Sequence, residues 1–318
     1  MKNILKLAIF MIAAAVSSSC YDSYLFDFEY PNMGFALPKQ VRTVISDKNC
    51  IYVGVSIGGK REIDMNDWAV FMIDETLLEG SGKTLMPETY YTLSDPSMMR
   101  VSKNNIAVAD VAVTFTDDFY ADPAALTGSL AIPFRIIQTS IPAPKDSLGN
   151  QSKYGAIREG GQTAIVAVKY INAFSGTWYR AGGVVEIDAN GDEVGEPVTY
   201  NNAEMMNNPT LVLKTKDRYT VTRPGTGALT TGGLDIKINE VEGASSYTLD
   251  ITAATGTTLK SATGTLVLEG EYHMYNSYPL APQMNLEYVY TDGGKDYKVS
   301  EKLVLRQWAE RELKVETF

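Results

Sequence analysis

Apolar residues in this chain recur in short runs of alternating character, each closed by Gly, Asp, Asn or Pro. The first series reads VRTVIS (41–46), CIYVGVSIG (50–58), WAVFMID (68–74), VAVTFTD (111–117), LAIPFRIIQ (130–138) and TAIVAVKYI (163–171). The second reads GVVEID (183–188), TLVLKT (210–215), RYTVTR (218–223), LDIKI (234–238), SYTLDIT (246–252), TGTLVLEG (263–270), NLEYVYTD (285–292) and DYKVSEKLVLR (296–306). A period of two sends successive side chains to opposite faces of a strand, and short strands between turn signals predict an all-β sandwich or barrel. No window sustains a 3.6-residue apolar stripe, so helix is confined to short pieces around DETLLEG and DPAAL.

Between the two series lies SIPAPKDSLGNQSKYGAIREGGQ (140–162), polar and rich in Gly, Pro and Ser. It reads as a long loop before one more strand of the first domain, because TAIVAVKYI is a buried-strand pattern that needs a sheet to join. The domain boundary then falls near NAFSGTWYRAGG (172–183). The expected division is 1–19 signal peptide, 20–40 tether and first segment, 41–175 first β domain and 176–318 second β domain.

The N-terminus has its own pattern. Lys2 and Lys6 precede an apolar run, Leu7 to Val16, and three serines lead to Cys20. A basic start, a short apolar middle and small residues at the cut form a secretory signal, and the run is shorter than the ~20 residues a membrane helix needs. The cysteine at the cut points to a bacterial lipoprotein in which Cys20 becomes the acylated first residue. Ser17 replaces the larger aliphatic usual in such a signal. Acyl chains contribute about 0.8 kcal/mol per buried CH₂, so the mature chain is tethered to a membrane through lipid alone.

Removing residues 1 to 19 leaves 299, enough for two ordinary domains, and loses two lysines, taking the formal charge from −10 to −12. That charge argues against nucleic acid and against an anionic lipid face as partners. With Cys20 acylated, Cys50 has no disulfide partner in the chain, and within an alternating strand it reads as a small core residue.

Standard catalytic signatures are missing. His273 is the single histidine, and no G-x-S-x-G elbow, P-loop or dinucleotide fingerprint occurs. In DANGDEVG (188–195), Asp188, Asn190 and Asp192 have calcium-loop spacing, but Glu193 stands where the turn glycine belongs and Thr199 where the last glutamate belongs. Asn190-Gly191 is a hairpin-turn signal, and turn is the reading adopted. TDDFYADPAAL (116–126) reads likewise as an Asp-capped turn. No metal or cofactor is expected.

Aromatic side chains are the remaining candidates, because sugar rings present flat C–H faces that stack on Trp and Tyr. Two clusters in Gly-, Ser- and Asn-rich segments suggest loops where binding residues collect: FSGTWYR with Trp178 and Tyr179, and EYHMYNSYP with Tyr272, Tyr275 and Tyr278. The alternative for Trp178 and Tyr179 is packing at the domain junction. Trp68 and Trp308 read as packing residues.

YDSYLFDFEYPNMGFALPKQVRTV, IYVGVSIGGKRE, LMPETYYTLSD, VAVTFTDDFYADPAALTGSLAIPFRI, AVKYINAFSGTWYRAG and SEKLVLRQWAERELKVETF together resemble the two-domain surface lipoproteins of the Bacteroidota. The resemblance implies an immunoglobulin-like N-terminal β-sandwich of unknown function, a C-terminal β-sandwich or flattened barrel, and a gene commonly encoded in polysaccharide-utilisation loci. It also implies export to the outer membrane, facing the exterior, with Asp22, Asp27 and Glu29 fitting the acidic signal after the lipidated cysteine. The expected function is non-enzymatic binding of a polysaccharide or glycoprotein glycan beside an outer-membrane transporter complex. The alternative is an adhesive or structural protein acting through protein–protein contacts. An enzymatic reading would require two carboxylates ~5 to 9.5 Å apart in a cleft.

Overall fold

The computed structural model describes residues 30–60, 65–102, 105–272, 280–313 and 316–318. The first domain contains β1 (Asn32–Gly34), β2 (Lys39–Ile45), β3 (Cys50–Gly58), β4 (Trp68–Ile73) and β5 (Thr84–Leu85). It continues with β6 (Tyr91–Leu93), β7 (Met98–Ser102), β8 (Asn105–Phe115), β9 (Leu130–Thr139) and β10 (Thr163–Ile171). All ten join one sheet in the order β1-β3-β8-β7-β4-β9-β10-β2, with β5 added to β9 and β6 to β8. This sheet curls into a half-barrel.

Its concave side is filled by the inward half of each alternating run. In β3, Ile51, Val53, Val55 and Ile57 are buried while Tyr52 between them is exposed. Phe134 meets Phe71 edge-on at 5.4 Å and Phe35 at 6.3 Å, and each such side chain contributes about 1.5–3 kcal/mol on burial. β10 is apolar on both faces for a reason the structure supplies. Ile165 and Ala167 turn outward and are covered, with Ala131, by Val41 and by Leu77 and Leu78 of a short 3₁₀ turn, Glu75–Leu78. Helical pieces are as short as the pattern requires, among them that turn, Glu88–Tyr90, the single helical turn Asp117–Ala121, and Pro123–Leu126, where the Asp122 carboxylate accepts the Ala124 N–H at 2.8 Å.

The chain crosses to the second domain through 172–175. There β11 (Gly176–Ile187), β12 (Glu193–Tyr200), β13 (Thr210–Thr215), β14 (Thr220–Thr226), β15 (Leu229–Asn239), β16 (Ser246–Ala253), β17 (Thr258–Val267), β18 (Gln283–Asp292) and β19 (Lys295–Trp308) form the second sheet. One edge of β11 pairs with β19 along its whole length. The other is divided, β13 taking Gly176–Tyr179 and β12 taking Gly182–Ile187. Eight strands, β11 and β13 to β19, therefore close into an antiparallel barrel, with β12 as a ninth strand outside the ring. Of the two architectures left open by the sequence, the second domain takes the barrel.

FSGTWYR was expected as a loop, and the structure corrects this: it is the last part of the interdomain crossing and the start of β11. Its glycine marks close backbone approach at the closure seam, not a turn. Gly176 and Gly182 have φ near +145° and +149°, and a Cβ on either would sit 2.3 Å or 2.2 Å from a carbonyl oxygen of β19. In DANGDEVG, residues 188–192 are the β11–β12 hairpin loop and 193–195 begin β12. The Asp188 carboxylate accepts the N–H groups of Asn190 at 2.8 Å and Asp192 at 2.9 Å, and these bonds hold it below the usual carboxylate range.

The two domains meet around the crossing. Asn172 accepts the Phe174 N–H at 2.8 Å, donates to the Arg218 carbonyl at 2.7 Å, and its own N–H reaches Thr215 Oγ1 at 2.9 Å. Arg218 pairs with Asp117 and stacks 4.2 Å from the Tyr120 ring. The C-terminal segment then returns to the first domain, where the Val41 N–H donates to the Glu316 carbonyl at 2.9 Å and Lys169 Nζ reaches the Glu316 carboxylate at 2.6 and 2.9 Å.

Candidate functional site

Trp178 does not form a binding platform. It is fully buried inside the barrel with its indole N–H donating to the Phe174 carbonyl at 3.2 Å, because in β11 it falls in the inward register opposite Leu305. Tyr179, the next residue, faces outward beside Val304 and is half-buried. Tyr272 packs on the same outer side, with Lys302 Nζ 5.7 Å from its ring, while Tyr275, Tyr278, His273 and Cys20 lie outside the described residues. Two of the five sequence candidates thus flank β19 from opposite sides.

Along β19 the positions that alternate away from the barrel interior are Lys302, Val304 and Arg306, of which Val304 is covered and buried while Arg306 is exposed. Gly176 and Thr177 pair with Trp308 and Gln307, then Trp178 pairs with Leu305, leaving Arg306 as the extra residue of a β-bulge. Bulges re-aim side chains, and this one sends the exposed Arg306 guanidinium to 5.8 Å from the Tyr179 ring. Lys302 is held by Glu271 at 2.9 Å.

Two residues past Arg306 the strand ends at a pocket between the domains. It encloses about 220 Å³ and is lined by Ile45, Asp47 and Lys48 from the β2–β3 turn, by residues of the crossing including Asn172 and Ser175, and by Trp308. Trp308 had read as a packing residue. It does pack, tilted against Phe174 at 6.2 Å, but it is half-buried and also forms a wall of the pocket. Asn172 is spent on the crossing, and Ser175 Oγ shares a hydrogen bond with Thr215 Oγ1 at 2.7 Å. Among the described residues the exposed Asp47 carboxylate is the single acidic group in the lining. From Lys302 to Trp308 the strand runs six residues, roughly 20 Å at about 3.3 Å each.

A second polar constellation sits inside the barrel. The Glu301 carboxylate is fully buried and accepts from Arg223 Nε at 3.1 Å and Nη2 at 2.9 Å, from Arg180 Nε, and from the Tyr200 hydroxyl at 3.0 Å. Burial and the Glu301 charge raise the Tyr200 phenol and push Tyr288 up to about 12, so both stay neutral. Among the described residues no group of three or more His, Cys, Asp or Glu is placed to hold a metal ion.

A family model described as "-like, N-terminal domain" matches residues 21–143. A search of curated proteins finds no match. Among solved structures, a protein of unknown function from Bacteroides ovatus is 19% identical, with 91% of this chain and 98% of that one covered at a TM-score of 0.65. A multidomain protein including DUF1735 from the same organism is 14% identical, covering 87% and 94% at a TM-score of 0.40. The first of these shows that the fold is shared over nearly the whole length of both chains. With the N-terminal family match, it accords with the two-domain Bacteroidota resemblance read from the sequence.

Proposed function

We propose that this protein is a lipid-anchored, non-enzymatic glycan binder on the outer membrane, serving a polysaccharide-uptake system. The observation that carries the reading is the junction pocket, where a half-buried indole stands beside a carboxylate and an ammonium group. A sugar ring needs this mixture, an apolar face to stack on and polar groups for its hydroxyls. Tyr179, Arg306 and Tyr272 extend the surface along β19 for a longer chain.

Affinity gels or glycan arrays with the mature protein test this. Retention on at least one polysaccharide is expected, weakened about tenfold or more by Trp308→Ala, roughly 1.4 kcal/mol. Absence of retention on every host and plant glycan, or retention indifferent to Trp308→Ala, refutes it. The anchor is tested by metabolic labelling with a fatty-acid probe, which Cys20→Ala should abolish. An adhesive role would draw on the outer edge of β12, where Val194 and Val198 are exposed. That edge carries Glu193, Glu196 and Pro197, which discourage strand addition, so the glycan reading is preferred.

A further inference from the structure

Among the described residues the charges inside the barrel do not balance. Arg180 and Arg223 share one carboxylate, Glu301, and the neighbouring hydroxyls of Tyr200 and Tyr288 are neutral, leaving one surplus positive charge in a largely dry site. Arg223 is wholly buried and each of its three guanidinium nitrogens is engaged: Nε and Nη2 on Glu301, and Nη1 on the carbonyls of Pro224, at 3.1 Å, and Gly225. Those carbonyls supply only partial negative charge, so the surplus rests on Arg180. Its side chain is 17% exposed, and three of its sides are occupied: Nε by Glu301, Nη2 by the Gly227 carbonyl, and one face by the Tyr200 ring at 4.0 Å. Nη1 has no hydrogen-bond partner among the described residues. A guanidinium held rigidly on three sides, with its last edge free and its charge uncompensated, is a preorganised donor for an oxyanion, because such edges match carboxylate and sulfate geometry.

We propose that Arg180 Nη1 binds an oxyanion of the carboxylate or sulfate class at the wall of the barrel. The site is separate from the junction pocket and does not depend on glycan binding there. Binding would neutralise the surplus charge, and the Arg223–Glu301 pair behind it would hold Arg180 in place.

Isothermal titration of the mature chain at fixed ionic strength tests this, with sodium sulfate and sodium glucuronate as probes against sodium chloride. Saturable one-to-one binding by either oxyanion is expected. Arg180→Gln should weaken it about tenfold or more, the scale of one charge-assisted hydrogen bond, and Trp308→Ala should leave it unchanged. Preference for glucuronate would identify an acidic sugar as the source, and preference for sulfate an inorganic or ester sulfate. No saturable heat with either probe overturns the proposal, as does undiminished binding by folded Arg180→Gln. If that variant does not fold, the wild-type titration alone decides.

Discussion

Glu301→Gln should be among the most destabilising isosteric changes in the barrel. The side chain keeps its volume and loses its charge, leaving the Arg180 and Arg223 guanidinium groups facing each other across a neutral amide in a site where Arg223 and Glu301 are both fully buried. Breaking a buried ion pair by removing one partner costs about 3–5 kcal/mol, mostly because the remaining charge is stranded. Here two cations are stranded, so the upper part of that range applies. For a domain of this size each kcal/mol moves Tm by roughly 2–4 °C, which predicts a fall of about 10 °C or more. Arg180→Gln should cost less, about 1–2 kcal/mol, because it removes the surplus cation and leaves Arg223 and Glu301 balanced. The double variant should then be more stable than Glu301→Gln alone. Calorimetry with denaturant titration of the four proteins measures this. A loss below about 1 kcal/mol for Glu301→Gln, or equal losses for the two single variants, would refute the account of the cluster as one anion shared by two cations.

Trp178→Ala empties a fully buried position and should cost about 3–5 kcal/mol, while glycan retention measured below the lowered Tm stays at the wild-type level. Gly182→Ala places a Cβ 2.2 Å from the Ser300 carbonyl oxygen at φ near +149°, and should open the β11–β19 seam; loss of amide-exchange protection in both strands is the readout. The Thr76 hydroxyl and the Arg135 guanidinium hold Asp74 below the usual carboxylate value, so its contribution is complete above the unfolded value near pH 4 and is lost as pH falls through the folded value. Asp74→Asn should therefore flatten the fall in Tm below the unfolded value near pH 4, and an unchanged acid profile would count against that linkage.

The strand pattern was legible wherever one face is buried and the other wet. VRTVIS, CIYVGVSIG and the runs from 234 to 306 all fall on observed strands, since alternation alone decides which face such a segment buries. Other features were hidden. β7, MMRVS, lies next to Pro96 and Ser97, and its five residues are too few for a period to declare itself. GTWYRAGG carries three glycines, so its composition reads as loop, and only the approach of β19 shows why glycine is needed. Barrel closure could not be read at all, because it rests on pairing between segments more than a hundred residues apart, such as Gly176 with Trp308.

For the sites, the limiting factor was register rather than residue type. Trp178 and Tyr179 stand together in the sequence as candidates, but adjacent residues of a strand face opposite ways, so at most one of them could meet solvent at the barrel wall. Trp308 reads as packing from its place near the C-terminus, and its second face emerges only when the β2–β3 turn and the crossing close around it. Glu301 did leave a trace. In KVSEKLVL it stands midway between Val299 and Leu303 at a spacing of two, so the alternation that buries those residues also buries the carboxylate. Arg223 offers the same trace two residues after Val221. A charged side chain in the inward phase of a strand predicts an internal partner of opposite sign. Here the partners are unequal in number, and that inequality singles out Arg180, which shares its inward phase with Trp178.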